Sequence, residues 1–320
     1  MKVVFFGTPE FAVGTLAALL NAKIDVVAVV TAPDKPAGRG QNMQPSAVKK
    51  FALENNLPIL QPEKLKNQDF IHTLTSYQAD LFIVVAFRML PEMIWQMPKN
   101  GTFNVHASLL PQYRGAAPIN WALINGENET GVTTFFLKHE IDTGNIIAQK
   151  AVNILPEDNF SSLYQKLMKE GAELAVATCE LIKNNQVNAT PQPLAISGNV
   201  PLKHAPKIFK DLGIVNWEKD ALHHHNLIRG LFPQPGVSII LKNDAQQKSI
   251  AIKLLASYLA DPLQQLPTRN FSVIEKQPAL IFDDLPLVIK ELQPAGKPKM
   301  SGKDFLNGIK LDEAWYWASA

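Results

Sequence analysis

An amide and an imidazole two residues apart, Asn104 and His106, stand in the string Asn104-Val-His106-Ala-Ser108-Leu-Leu-Pro111-Gln-Tyr113-Arg114-Gly115. If residues 102–106 end a strand, alternate side chains share a face and the two project together. A strand end running into a loop with proline and glycine is where open α/β sheets place their chemistry. Hydrogen-bonding groups held side by side there suit a carbonyl that must become a tetrahedral oxyanion. An isolated Asn-x-His is more often a capping asparagine with an incidental histidine; the length of the surrounding string argues against accident. Further on, His139-Glu140-Ile141-Asp142-Thr143-Gly144 reads as another turn at a strand end. Asp142 can face the pair from there. A carboxylate near an imidazole raises its basicity and fixes its orientation. Taken alone, the Asp-x-Gly spacing marks only a turn.

Such groups need a scaffold. Lys2–Phe6 is an apolar run of strand length, Gly7–Glu10 a turn, and Phe11, Leu16, Leu19 and Leu20 carry a helix to about Asn21. Ile24–Thr31 is a second strand, so the chain opens with a βαβ unit and predicts a parallel sheet. The first turn holds one glycine where a dinucleotide fingerprint needs three, which places a nicotinamide enzyme low. Helices are expected over 46–55, 67–76, 118–125 and 160–183, and strands over 57–60, 80–86 and 131–137. The stretch 33–45 carries three prolines and two glycines and is predicted to be irregular. Its Lys35 and Arg39 are candidate phosphate contacts.

Residues 190–210 are rich in proline and read as a linker. The expected division is a first domain at 1–190, the linker at 191–210 and a second domain at 211–320. In the second domain a helix over 219–229 precedes strands over 237–242, 249–258, 271–275, 279–283 and 286–292. That pattern predicts a small antiparallel β-barrel of the OB type, a common nucleic-acid platform. Three consecutive histidines, His223–His225, invite a metal reading. Successive helical side chains diverge by about 100°, so three in a row cannot face one ion.

The chain has 320 residues, 46% of them hydrophobic, and a formal net charge of +2. That permits a polyanionic partner without requiring one. No apolar run reaches the ~18–20 residues that cross a bilayer. One cysteine, Cys179, excludes an internal disulfide. A cytoplasmic enzyme is expected. Nothing marks a large apolar interface, so a monomer is expected too.

The string from Asn104 to Gly115, the Asp142-Thr-Gly144 turn, Phe6-Gly-Thr-Pro-Glu-Phe11, Pro36-Ala-Gly-Arg-Gly40, Ala205-Pro-Lys207-Ile, Pro233-Gln-Pro-Gly236 and Pro298-Lys-Met-Ser-Gly-Lys-Asp-Phe-Leu-Asn307 together resemble the folate-dependent formyltransferases. The resemblance spans nearly all of the chain. It implies an α/β, Rossmann-like, mostly parallel sheet (the formyltransferase fold) with a smaller C-terminal OB-like β-barrel domain. It implies formyl transfer from 10-formyltetrahydrofolate, as co-substrate and without a metal, to the amino group of methionine on initiator methionyl-tRNA. A nucleotide-sugar amine is the alternative acceptor. The family's catalytic residues fall on Asn104, His106 and Asp142. Folate contacts are implied at Phe87, Arg88, Leu90, Ser108, Leu109, Leu110, Pro111 and Ile141, and tRNA contacts at Lys35, Arg39 and Lys207. Relatives commonly carry an aromatic-glycine pair where this chain has Phe87-Arg88.

Overall fold

Short apolar strands alternate with helices through the first half of the chain. A computed structural model describes residues 1–37, 42–195, 201–261, 271–309 and 314–320. The strands begin with β1 (Lys2–Gly7), β2 (Asp25–Val30), β3 (Lys35–Ala37), β4 (Asn42–Gln44), β5 (Ile59–Leu60) and β6 (Leu81–Val85). They continue with β7 (Thr102–His106), β8 (Arg114–Gly115), β9 (Glu129–Phe136), β10 (Ile146–Asn153) and β11 (His204–Ala205). The helices are α1 (Glu10–Asn21), α2 (Ala47–Glu54), α3 (Gln68–Ser76), α4 (Glu92–Trp95), α5 (Pro118–Ile124) and α6 (Phe160–Lys183). Ser46 and Asn67 start α2 and α3 by accepting the N–H of Lys49 and Phe70, at 3.0 and 3.1 Å.

By contacts the chain divides into two units. The first comprises Met1–Pro118, Glu129–Asn153 and Tyr164–Ala205. Its main sheet runs in the order β10-β9-β7-β6-β1-β2-β5. β7, β6, β1, β2 and β5 are parallel, while β9 and β10 are antiparallel. The central strands β1 and β6 are buried on both faces, which is why Val3–Phe6 and Leu81–Val85 read as unbroken apolar runs. Phe6, Phe82, Leu74 and Ile94 belong to the core on one side of it. The mostly parallel α/β fold is the one predicted.

Two local expectations fail in this unit. Residues 33–45 are not wholly irregular, because Lys35, Pro36 and Ala37 pair antiparallel with Gln44, Met43 and Asn42. A ribbon of two strands is all edge, and an edge tolerates a proline that cannot donate. Arg39 lies outside the described residues. Strand β10 has no forerunner in the sequence reading: it is an edge strand with residues 149–151 exposed, so it lacks apolar alternation.

The second unit comprises Ile119–Asn128, Ile154–Leu163 and Pro206–Ala320. Two segments inside the expected 1–190 span therefore group with the C-terminal part. It holds α7 (Ala221–Leu231), β12 (Val237–Asn243), β13 (Lys248–Leu259), β14 (Ser272–Ile274), β15 (Gln277–Ile281), β16 (Pro286–Pro294), β17 (Met300–Ser301), α8 (Gly302–Asn307) and β18 (Tyr316–Ser319). The antiparallel sheet order is β14-β15-β16-β13-β12-β18, with β17 beside β16. Register shifts around Ala256 in the long β13 curl it into a half-barrel. Trp317, 1% exposed, sits in the core and donates its indole N–H to the carbonyl of Ala279 at 2.9 Å. Both α8 and β18 escaped the sequence reading, being too short to show a period.

The three histidines of α7 part company, as their spacing requires. His224 is buried and stacks on Phe282 at 4.6 Å between centroids. His225 meets the Ser257 hydroxyl at 3.0 Å. Among the described residues no cluster of His, Cys, Asp and Glu has the makings of a metal site, and no helix is long and apolar enough to cross a membrane.

Candidate active site

The parallel strands deliver their carboxyl ends to one edge of the sheet. From β1 the chain steps outward to β2 and β5, then returns to the other side of β1 as β6 and β7. The crevice at such a reversal, here between β1 and β6, is the ligand position of open α/β sheets. A cavity of about 390 Å³ lies there, lined by Thr8 after β1, by Ala32, Pro33 and Lys35 after β2, by Glu63, and by Phe87 and Arg88 after β6. The Phe87 ring meets Phe6 edge-on at 5.7 Å. The Arg88 guanidinium lies 5.7 Å from the Phe87 ring centre and donates to the carbonyl of Glu63 at 2.8 Å and to that of Pro62.

Asn104 and His106 share one face at the carboxyl end of the adjacent strand β7, as the period of two demands. Asn104 pairs with Val84 on one side and Phe135 on the other. Its carboxamide is half-buried and makes no hydrogen bond among the described residues. His106 is 7% exposed and stands edge-on to Phe135. Its Nε2 lies 2.9 Å from the carbonyl of Tyr113. A carbonyl only accepts, so Nε2 carries the hydrogen and Nδ1 faces the other way. Asp142 is what Nδ1 faces, with Oδ2 at 3.9 Å. The three groups singled out in the sequence converge.

Asp142 reaches this position through an unusual backbone. Its φ is +55°, a left-handed conformation that aspartate tolerates better than most residues. Two residues on, Gly144 has no room for a side chain, since a Cβ there would come within 1.5 Å of the carbonyl oxygen of Phe136. Oδ2 also accepts the N–H of Gly115 at 3.0 Å. Gly115 itself has a φ of +127° and packs on the Ala205 carbonyl.

The intervening loop is pinned from several directions. Ser108 Oγ donates to the carbonyl of Gln112 at 2.6 Å. Thr133 Oγ1 donates to the carbonyl of Ser108 and accepts the N–H of Leu110. Gln149 Nε2 donates to the Leu110 carbonyl and to Thr133 Oγ1, each at 2.9 Å. The Leu110–Pro111 bond is cis. On the far side, β8 pairs with β11, and the N–H of Tyr113 donates to the carbonyl of Lys203 at 2.7 Å. The residues expected to form a linker thus add a strand to the loop that holds His106.

The remaining sequence candidates fall in different places. Phe87 and Arg88 line the cavity with Lys35, while Leu90 is buried in the core behind them. Ser108, Leu110 and Pro111 are enclosed by protein, Leu109 is half-buried, and Ile141 is exposed. Lys207 is exposed in the second unit, its Nζ 5.6 Å from the Phe209 ring centre. Sequence reasoning missed Gln192, which is 1% exposed and bonded to both Arg114 and the Asp142 turn. No local signal marks it, since it lies in the proline-rich stretch 50 residues beyond Asp142.

Residues 1–179 match the family model described as formyl transferase, and residues 207–310 match the formyl transferase C-terminal domain. The chain belongs to the formyl transferase family. The methionyl-tRNA formyltransferase of Parabacteroides distasonis is 46% identical over 315 residues, covering 97% of this chain and 96% of that protein. That of Flavobacterium johnsoniae is 43% identical over 315 residues, covering 98% of each. Among solved structures, the N-formyltransferase from Helicobacter canadensis, in complex with folinic acid and dTDP-3-aminofucose, matches with a TM-score of 0.63 and 22% identity, over 90% of this chain and 98% of that one. HypX from Aquifex aeolicus, in complex with tetrahydrofolic acid, matches with a TM-score of 0.61 and 19% identity, over 98% of this chain and 48% of that one. These two structures share the family's fold.

Proposed function

We propose that this formyl transferase moves a formyl group from 10-formyltetrahydrofolate to the amino group of methionine on initiator methionyl-tRNA. The observation that carries the reading is the likeness to methionyl-tRNA formyltransferases, which runs at 43–46% identity through both domains rather than the first alone. The residues present suit the co-substrate. A cavity walled by the Phe87 ring, with the Lys35 and Arg88 cations in its lining, suits a flat heterocycle whose glutamate tail carries carboxylates.

The folate supplies a carbonyl carbon at the oxidation level of formate. The chain's own groups supply the rest. The carboxamide of Asn104, unbonded among the described residues, is the donor for the formyl oxygen as charge gathers on it, and one such donor is worth about 10²–10³ in rate. The amine must be neutral to attack and loses a proton as it bonds, while the departing nitrogen gains one. His106 Nδ1 and the Asp142 carboxylate are the groups we assign to that proton, a role worth about 10²–10⁴. Nε2 cannot serve, being committed to Tyr113. Tyr113 and Gly115 hold the imidazole and the carboxylate in place through their backbone.

Phe87 and Arg88 form one wall of the folate pocket, and Leu90, Ser108, Leu109, Leu110, Pro111 and Ile141 shape it. Lys35, Arg39 and Lys207 take phosphates of the tRNA. In this reading residues 1–190 are catalytic, 191–210 link the domains while bracing the catalytic loop and lending Lys207 to the tRNA, and 211–320 bind tRNA, in a monomer working in the cytoplasm. The test is direct. The protein is incubated with 10-formyltetrahydrofolate and either methionyl initiator tRNA or a nucleotide-linked amino sugar. Formylmethionine on the tRNA is expected; its absence refutes the reading, and formylated sugar instead would establish the alternative acceptor.

A further inference from the structure

We propose that Gln192 is a positioning residue for this reaction, holding the Asp142 carboxylate against His106. The inference rests on the functional reading above. Gln192 is 1% exposed, and every hydrogen-bonding direction of its amide is used. Oε1 accepts from Arg114 Nε and Nη2 at 2.9 and 2.5 Å. Nε2 donates to the carbonyls of Asp142 and Gly144, each at 2.8 Å. The orientation of the amide follows from chemistry, because a guanidinium only donates and a carbonyl only accepts.

These bonds close a ring. Gln192 holds the Arg114 side chain; the next residue, Gly115, donates its N–H to Asp142 Oδ2; and the Asp142 carbonyl returns to Gln192. The carboxylate is therefore gripped through its side chain and its own backbone at once. The turn it sits on has little tendency to hold itself there, given the positive φ of Asp142. Nor can it settle toward β9, where Gly144 already packs on the carbonyl of Phe136. Gln192 in turn is fixed by the neighbouring Thr190, whose N–H and carbonyl both pair with Ile146, each at 2.8 Å. Apart from the Asp142 carboxylate itself, which takes the Gly115 N–H, the Gln192 amide is the side chain that ties the Arg114 strand to the Asp142 turn.

The decisive variant is Gln192→Glu, with Gln192→Ala beside it. Glutamate keeps the size and the acceptor for Arg114 but turns an oxygen toward two carbonyls, so it loses the grip on the turn alone. Both variants are expected to lower kcat roughly 100-fold, the cost of a displacement near 1 Å at reacting groups, with KM for both substrates unchanged. Wild-type kcat in Gln192→Glu, or a loss confined to KM, overturns the proposal. If the alanine variant does not fold, the glutamate variant decides by itself. A second readout needs no substrate: the Gly115 N–H, which Asp142 Oδ2 accepts, is expected to exchange with solvent at least roughly tenfold faster in Gln192→Glu, followed by NMR. An unchanged exchange rate also overturns it. Should the wild type fail to formylate methionyl-tRNA, the functional reading falls while this second measurement still decides the role of Gln192.

Discussion

Replacing Asn104 with alanine separates catalysis from stability at this site. The carboxamide makes no hydrogen bond among the described residues, so its loss orphans no partner. Strand β7 keeps its place through pairing with β6 and β9 and through Phe103 and Val105, both buried. A half-buried polar side chain with nothing attached costs within about 0.5 kcal/mol when truncated, which moves Tm by roughly 2 °C at most. Catalysis behaves differently. Losing one preorganised donor to a developing oxyanion costs about 2.7–4 kcal/mol, or roughly 10²–10³ in kcat. Asn104→Asp, the same size but only an acceptor when ionised, is expected to fall at least as far. Single-turnover formylation with saturating folate and methionyl-tRNA, alongside thermal melting, reads both quantities. A kcat within tenfold of wild type would refute the assignment of Asn104 as the donor. So would a loss of activity that merely tracks a loss of Tm.

Gly144→Ala is expected to destabilise the protein by more than about 4 kcal/mol, because its Cβ would fall 1.5 Å from the Phe136 oxygen; wild-type urea unfolding would show the turn free to move. Lys207→Ala is expected to raise KM for tRNA, leave KM for folate alone, and reduce the slope of log affinity against log salt by about 0.9. Equal effects on both substrates would remove Lys207 from the RNA contact. Burial, helped by the cations of Arg229 and Lys290, pulls His225 down to about 4 from an ordinary 6.5. On acidification the unfolded chain therefore takes that proton first, so this stabilisation is complete above pH 6.5 and drains away as the pH falls toward 4. The urea midpoint is expected to drop between about pH 7 and about pH 5, and His225→Asn to flatten part of that fall; parallel profiles would contradict the cause.

How far the sequence could be read depended on how local each cause was. Strands β1 and β6 announced themselves as apolar runs, and α6 as a 3.6-residue period sustained over 24 residues. The edge strand β10 and the hairpin of β3 and β4 gave no such pattern, because edges are half solvated. Trp317, in the four-residue β18, is decisive for the core yet has no periodic neighbours to announce it. In the site, the Asn104–His106 spacing already implied a shared face. Asp142 looked like a turn former, which it also is.

By itself, then, the sequence determined the alternation of strands and helices, the parallel sheet, the curled second domain, and the residues whose types can carry a formyl transfer. Those follow from nearest-neighbour sterics and from periods of 2 and 3.6 residues. Tertiary structure decided which imidazole nitrogen faces Asp142, that the carboxylate stands 3.9 Å from it, and that the proline-rich stretch read as a linker also supports these groups through Lys203, Ala205 and Gln192. Hydrogen bonds between residues tens of positions apart leave no period in the chain. They exist only once the sheet has brought their partners face to face.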